Sequence, residues 1–172
     1  KKIGLLIESM NDLTIDGQGS RLLFEGDMMA LGILHSKNIT IKNLTWDFKV
    51  PTTSEMSVKD FNLEELWIDY LIPSCMPYQI EGNDLIWLSE KDSQGNYYWI
   101  EKNDHRNYGI QVNYPQVTMG RSYYTEDSPF RNVSHIEEIE ANHLRFYYQQ
   151  MPKIKPIIGM NYQFLSNAQR PT

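Results

Sequence analysis

The sequence contains a single cysteine, Cys75, so neither a disulfide within one chain nor a cysteine-based metal site can form. No His–Asn or His–Asp pattern accompanies it, and Cys75 reads as a small apolar residue rather than a catalytic thiol. There is no apolar run of about 18 residues or more, and the opening "KKIGLLIESM" is too short and too soon polar for a span or a signal peptide, so no membrane partner is expected. Basic residues are scarce. The net charge is −6, the acids are dispersed, and no basic stripe offers itself to phosphate, which excludes nucleic acid as a partner. Phosphate loops, zinc spacings, nucleophile elbows and kinase signatures are also missing. "IDGQGS" (15–20) has two glycines without the GxGxxG spacing or a following helix, and reads as a turn. His35, His105, His135 and His143 are scattered and form no i, i+4 pair, so neither a metal nor a cofactor is expected.

Aromatic residues, by contrast, are plentiful at 12%, with eleven Tyr and four Trp, a bias that favours strands over helices and argues against disorder. A repeat runs through the first fifty residues. "NDLTIDGQGSRLLFEG" superimposes on "KNITIKNLTWDF" with an offset of 26: Leu13, Thr14 and Ile15 fall on Ile39, Thr40 and Ile41, Asp12 on Asn38, and Gly17 on Asn43. The apolar stretches "IGLLI" (3–7) and "MALGIL" (29–34) precede the two copies. A period in the twenties with several tiny strands per unit predicts coils of a parallel β-helix, with two unrelated hairpins as the plainer alternative. Gly and Asn suit the bends because these need φ > 0. "NIT", "NLT" and "NVS" are formal sequons, but in such coils the Asn is better read as a turn cap.

At Val50-Pro51 the pattern changes, since Pro51 cannot donate to a ladder. From there to residue 166, turn signals recur every 8–12 residues. Expected strands are Glu55–Asp60, Glu65–Leu71, Tyr78–Ile80, Leu85–Leu88, Tyr97–Glu101, Gly109–Asn113, Val133–Glu140, Leu144–Tyr148 and Tyr162–Leu165, with hairpin turns at "EGND" (81–84), "SQGN" (93–96) and "EANH" (140–143). This spacing predicts a small antiparallel barrel or sandwich. "NLEELWIDYL" has a helical rival, with Asn62 as N-cap and Glu65 three residues on, but its aromatic and β-branched content and Pro73 favour strand. Segment 115–132 has no clean period and is expected to be a long loop with a short strand near Arg121–Tyr124. The fold class is therefore all-β: partial parallel β-helix coils over 1–51, an antiparallel barrel-like domain over 52–166, and a return segment over 167–172. The abrupt start and the ending on "NAQRPT" predict a segment of a longer protein.

Few residues carry chemistry on their own account. Asp47 and Trp46 in "TWDF", near a strand end, are candidates for binding substrate, the carboxylate lining a groove, although a solvated aspartate is the plainer reading. Trp67, Trp87, Trp99 and the pairs Tyr97–Tyr98, Tyr123–Tyr124 and Tyr147–Tyr148 are candidates for stacking on sugar rings, but alternation turns one of each pair into the core. The paired carboxylates of glycoside hydrolysis are not identifiable.

At "TIDGQGSRLLFEG" followed by "GILHSKNITIKNLTWDF" the chain resembles the opening coils of bacterial α-1,3-galactosidases of glycoside hydrolase family 110. The resemblance is best over residues 13–51 and continues more loosely through "YQIEGNDLIW" and "NYQFLSNAQRPT". It implies first coils, an inserted barrel and a return into the helix, within a parent enzyme that releases terminal α-1,3-linked galactose with inversion. No match to the family's catalytic aspartates precedes Thr172, so these are expected beyond it and the segment itself is expected to be silent. A galactose-containing glycan is the implied ligand, and a periplasmic or secreted parent the implied location. The alternatives are a non-catalytic carbohydrate-binding or structural module, or part of a polysaccharide lyase or polygalacturonase. Two coils bury little of their own surface, so association between copies through exposed coil edges is also expected.

Overall fold

The computed structural model describes residues 2–26, 28–51, 53–102, 108–115, 121–123 and 128–166. Among these every regular element is a strand. The chain divides into two compact units, one built from residues 2–51 with Ser89–Trp99, the other from Thr53–Leu88 with residues 100–166. The return segment expected at 167–172 lies outside the described residues.

In the first unit, β1 (Lys2–Glu8) pairs in parallel with β3 (Met28–Leu34), and β2 (Thr14–Phe24) with β4 (Thr40–Phe48). The repeat is therefore physical. Lys2 stands opposite Met28 and Thr14 opposite Thr40, each 26 residues on. Bends repeat with the strands: Ser9 and His35 share a left-handed backbone, as do Asp12 and Asn38. The Asn38 amide donates to Asp12 Oδ1 at 2.7 Å, so the second bend is hydrogen-bonded to the first. The two copies differ at the next corner. Asp16 faces Lys42 and Ser20 faces Leu44, so Gly17-Gln18-Gly19 does in three residues what Asn43 does in one, and the spacing drops to 24 by Phe24 and Phe48. Gln18, Gly19 and Asn43 all have positive φ; Gly17 does not, and its requirement is space, because a Cβ there would lie 2.7 Å from the Asn43 carbonyl oxygen. Beyond the corner Leu22 and Phe24 stack on Trp46 and Phe48, with the two Phe rings 5.9 Å apart. Segment Ser89–Trp99 belongs with these repeats: Glu90 accepts the Gly26 N–H, and the Tyr98 ring lies against Gly26.

The second unit is antiparallel. Its seven-stranded sheet runs in the order β11 (Arg121–Tyr123), β10 (Tyr108–Asn113), β14 (Asn161–Ser166), β5 (Ser54–Asn62), β6 (Trp67–Leu71), β13 (His143–Tyr148), β12 (Val133–Glu140). A three-stranded sheet comprises β7 (Tyr78–Glu81), β8 (Asp84–Leu88) and β9 (Ile100–Lys102). The end strands β11 and β12 do not pair, so closure into a barrel is not seen among the described residues. Alternation sends Met56, Val58, Ile68, Tyr70, Leu144, Phe146, Tyr162 and Phe164 to one face, all essentially inaccessible, and Trp87 from β8 meets Phe164 there with centroids 6.2 Å apart. Each such aliphatic or aromatic side chain contributes roughly 1.5–3 kcal/mol of burial. The Tyr70 and Tyr148 hydroxyls, 3.1 Å apart, satisfy each other inside this core, and Tyr148 also donates to the Pro129 carbonyl.

The turns follow their chemistry. Gly82 and Asn142 adopt positive φ in the hairpins closed by Glu81–Asp84 and Glu140–His143, and Gly95 does so in the turn after Asp92. Two expected strands start late. Asn62 Oδ1 accepts from the Glu64 and Glu65 N–H groups, as a helix cap does, but Leu66 then takes positive φ and the chain enters β6 at Trp67. The N-cap signature was real; what it caps is a four-residue turn. Likewise Trp99 N–H donates to the Ser89 hydroxyl instead of a ladder carbonyl, so the strand expected from Tyr97 begins at Ile100. Of the long loop, residues 116–120 and 124–127 lie outside the described residues, while Arg121–Tyr123 forms the expected short strand.

Candidate functional site

Trp46 and Asp47 occupy successive positions of β4 and therefore point to opposite faces. Trp46 shares its face with Leu44 and Phe48 and remains 45% exposed. Asp47 faces the other way, where its Oδ2 accepts from Arg21 Nη2 at 3.0 Å in an exposed ion pair. The two residues are thus not brought together on one surface. On the same unit, a hollow of about 420 Å³ is lined by Gln18, Gly19, Ser20, Asn43, Leu44 and Thr45 at the corner of the repeat. Of the aromatic candidates, Trp87 and Tyr148 are core residues, 1% and 4% exposed, while Tyr98 is covered in part by its contact with Gly26.

The densest group of ionisable side chains lies on the second unit, on the sheet face away from the core. Asp69 on β6 is buried and receives two hydrogen bonds from Arg145 on β13, from Nε at 2.7 Å and Nη2 at 2.9 Å. The guanidinium also covers the Trp67 ring, 3.8 Å from its centroid, and the Trp67 Nε1–H donates to Glu65. His143, also buried, places Nε2 3.1 Å from Asp69 Oδ2 without an aligned hydrogen bond. Its Nδ1 lies 3.2 Å from Lys59 Nζ and 3.3 Å from Glu140 Oε1. Burial pushes the Asp69 carboxyl upward, but the two hydrogen bonds and the charge of Arg145, with the His143 ring close by, outweigh it and hold the carboxyl below its ordinary value. The same contact raises Arg145. A carboxylate kept ionised by a bidentate guanidinium is a poor proton donor, so Asp69 does not have the character of a glycosidase general acid, whose pKa must be raised. The cluster fastens β6 to β13.

Beside the start of β12, a hollow of about 290 Å³ is lined by Ser128, Arg131, Asn132, Gln150, Met151 and Lys153 among others. Among the described residues no group of three or more His, Cys, Asp and Glu converges as a metal site, and no helix is long and apolar enough to cross a membrane.

Sequence reading did not single out Asp69, His143 and Arg145 as a cluster. Its only available signal was a charged residue opposing the apolar alternation in both "LWIDYL" and "HLRFYY", and its meaning depends on knowing that these two strands pair.

Against known proteins, no protein-family model matches the chain. Residue-level similarity decides more. The chain is 31% identical over 157 residues, 90% of its length, to an alpha-1,3-galactosidase A of Bacteroides thetaiotaomicron. The chain is a distant homologue of bacterial alpha-1,3-galactosidases. It is also 28% identical over 151 residues to the alpha-1,3-galactosidase A of Streptomyces avermitilis, and 38% identical over 79 residues to an alpha-1,3-galactosidase B of Bacteroides fragilis. It spans about a quarter of the first two relatives, 24% of each. The kinship, expected to be best over residues 13–51 and looser towards the end, is thus found over most of the chain.

Proposed function

We propose that the chain is a segment of an inverting exo-α-1,3-galactosidase of glycoside hydrolase family 110. In this reading the two parallel repeats are the first coils of a right-handed β-helix, and the antiparallel unit is a barrel-like insertion between coils. The observation that carries it is the 31% identity extending over 90% of the chain. The parallel pairing, at 26-residue spacing up to the Asp16–Lys42 corner, supports the β-helix part, because among the described residues each of the two sheets has only two strands, and further coils could add to their edges.

The substrate is a glycan ending in α-1,3-linked galactose. Inversion needs one carboxyl to protonate the leaving oxygen and a second to activate water, about 6.5–9.5 Å apart. Asp69 is tied to Arg145, and Asp47 to Arg21, so neither is assigned to that pair. The working carboxylates belong to later coils and the segment alone is silent. The parent enzyme acts in the periplasm or outside the cell, and exposed coil edges allow copies to associate.

The test compares the 172-residue chain with its full-length parent on Galα1,3Gal, following the first-formed anomer by NMR. The parent is expected to release β-galactose, and the segment to release none. A parent that leaves Galα1,3Gal intact, or releases the α-anomer first, overturns the reading.

A further inference from the structure

The face of the seven-stranded sheet turned away from the core carries a second pattern, on β10, β14 and β5. Register places Gln111 opposite Gln163 and Gln163 opposite Glu55; one step along, Asn113 stands opposite Asn161 and Asn161 opposite Ser57. Their chain neighbours Ile110, Val112, Tyr162, Phe164, Met56 and Val58 all point into the core and are at most 2% exposed, so the six polar residues share the other face. All six are half-buried, and only Glu55 is charged, in a chain with 38 charged residues.

Four of the six are carboxamides. A carboxamide presents a donor and an acceptor side by side, which is the complement of two neighbouring hydroxyls. Some of this capacity is used within the rows: Gln163 Nε2 donates to Glu55 Oε2 at 3.3 Å, and Gln111 Nε2 to Asn113 Oδ1 at 3.2 Å. Asn161, at the centre of its row, keeps its Oδ1 buried and without a donor among the described residues. A buried acceptor without a partner is costly, and turning the Asn161 amide outward to meet a ligand hydroxyl would relieve that cost. The row continues from Ser57 to Leu71, whose 39% exposure gives it an apolar end suited to the C–H face of a sugar ring.

We propose that this face is a binding site for a neutral oligosaccharide, separate from the catalytic centre of the parent enzyme. Near-neutral charge disfavours an ionic ligand, and the spacing of amides across three strands suits a chain of hydroxyl-bearing rings laid across them. The choice of galactoside as the first probe rests on the proposed function; the face itself does not.

The experiment is a ¹⁵N-NMR titration of the 172-residue chain with Galα1,3Gal, lactose and cellobiose. Saturable shifts are expected in the side-chain amide signals of Gln111, Asn113, Asn161 and Gln163. Gln163→Ala and Asn161→Ser should each weaken binding about five- to tenfold, the effect of losing one or two net hydrogen bonds, with melting temperature as the control for folding. Gln111→Ala, towards the sheet edge, serves if either fails to fold, and Gln94→Ala, in the turn after Asp92, should change nothing. Binding of lactose or cellobiose but not Galα1,3Gal, with the same loss in the variants, upholds the face and counts only against an α-1,3-galactoside as its ligand. Binding that ignores all three face variants, or no shifts with any of the sugars, overturns the face.

Discussion

Asp69 on β6 and Arg145 on β13 stand opposite each other in register, 76 residues apart in sequence, and are joined by two parallel hydrogen bonds of 2.7 and 2.9 Å. The carboxylate is buried, whereas the Arg145 side chain is 27% exposed and its guanidinium lies on the Trp67 ring. Removing the cation strands a buried negative charge. Arg145→Ala should therefore destabilise the chain by about 2–4 kcal/mol, near the low end for broken buried pairs because solvent reaches one partner. Asp69→Asn combined with Arg145→Ala should cost less than the sum of the two single changes. Urea unfolding of the four proteins in the cycle checks this; additive costs would mean that the two groups do not act as a pair.

The same pair sets an acid dependence. The Asp69 carboxyl is held below its ordinary value of 3.8, since burial is outweighed by its two hydrogen bonds from Arg145 and the nearness of His143. The unfolded chain then takes up this proton first as pH falls. The contribution of Asp69 is complete above the unfolded value and is lost as pH drops through the lower folded one. Asp69→Asn should flatten the stability curve below about pH 4, an outcome read from urea midpoints across pH 2–6.

Tyr78 gives the opposite sign. Its hydroxyl donates to Glu138 at 2.6 Å and accepts the Asn142 N–H at 3.0 Å, linking β7 to the β12–β13 hairpin. Burial, together with the bond to Glu138, pushes its pKa to about 12. The folded state holds this proton more tightly, so the contribution is intact below pH 10 and disappears as pH rises through about 12. Tyr78→Phe should cost about 1–2 kcal/mol at neutral pH, because Asn142 N–H loses its partner. It should also remove one late-ionising phenol from an ultraviolet titration.

What the sequence disclosed depended on the range of the interaction. The repeat was legible because stacked strands place chemically similar residues at a fixed interval, and bends with positive φ admit few residue types: Asp12 and Asn38, then Gly19 and Asn43. Turns at Gly82, Gly95 and Asn142 were legible for the same local reason. The Asp69–Arg145–His143 cluster was not, because it exists only once β6 and β13 are paired, and register between distant strands leaves no mark at either one. The fates of Trp46 and Asp47 show the limit of neighbourhood in sequence: adjacent in the chain, they point to opposite faces of the same strand.

Two glycines of the first unit should answer differently to the same substitution. A Cβ on Gly17 would meet the Asn43 carbonyl oxygen at 2.7 Å and Leu44 Cβ at 2.8 Å, and the backbone oxygen has little room to yield because its residue forms the bend. Gly17→Ala should destabilise by about 1–3 kcal/mol, as overpacking does, and should loosen the pairing of Ser20 with Leu44. At Gly32 the nearest atoms are methyls of Ile3 and Leu6 at 3.3–3.4 Å, which can rotate aside, and no positive φ is required. Gly32→Ala should be neutral or stabilise by up to about 1 kcal/mol, because alanine has less freedom to lose on folding. Chemical unfolding of the two variants, with amide hydrogen exchange at Leu44 and Leu31, reads both effects. Equal losses at the two positions would mean that the repeat corner is no tighter than the strand interior, and the close approach at Gly17 would then not be what fixes the register of the two copies.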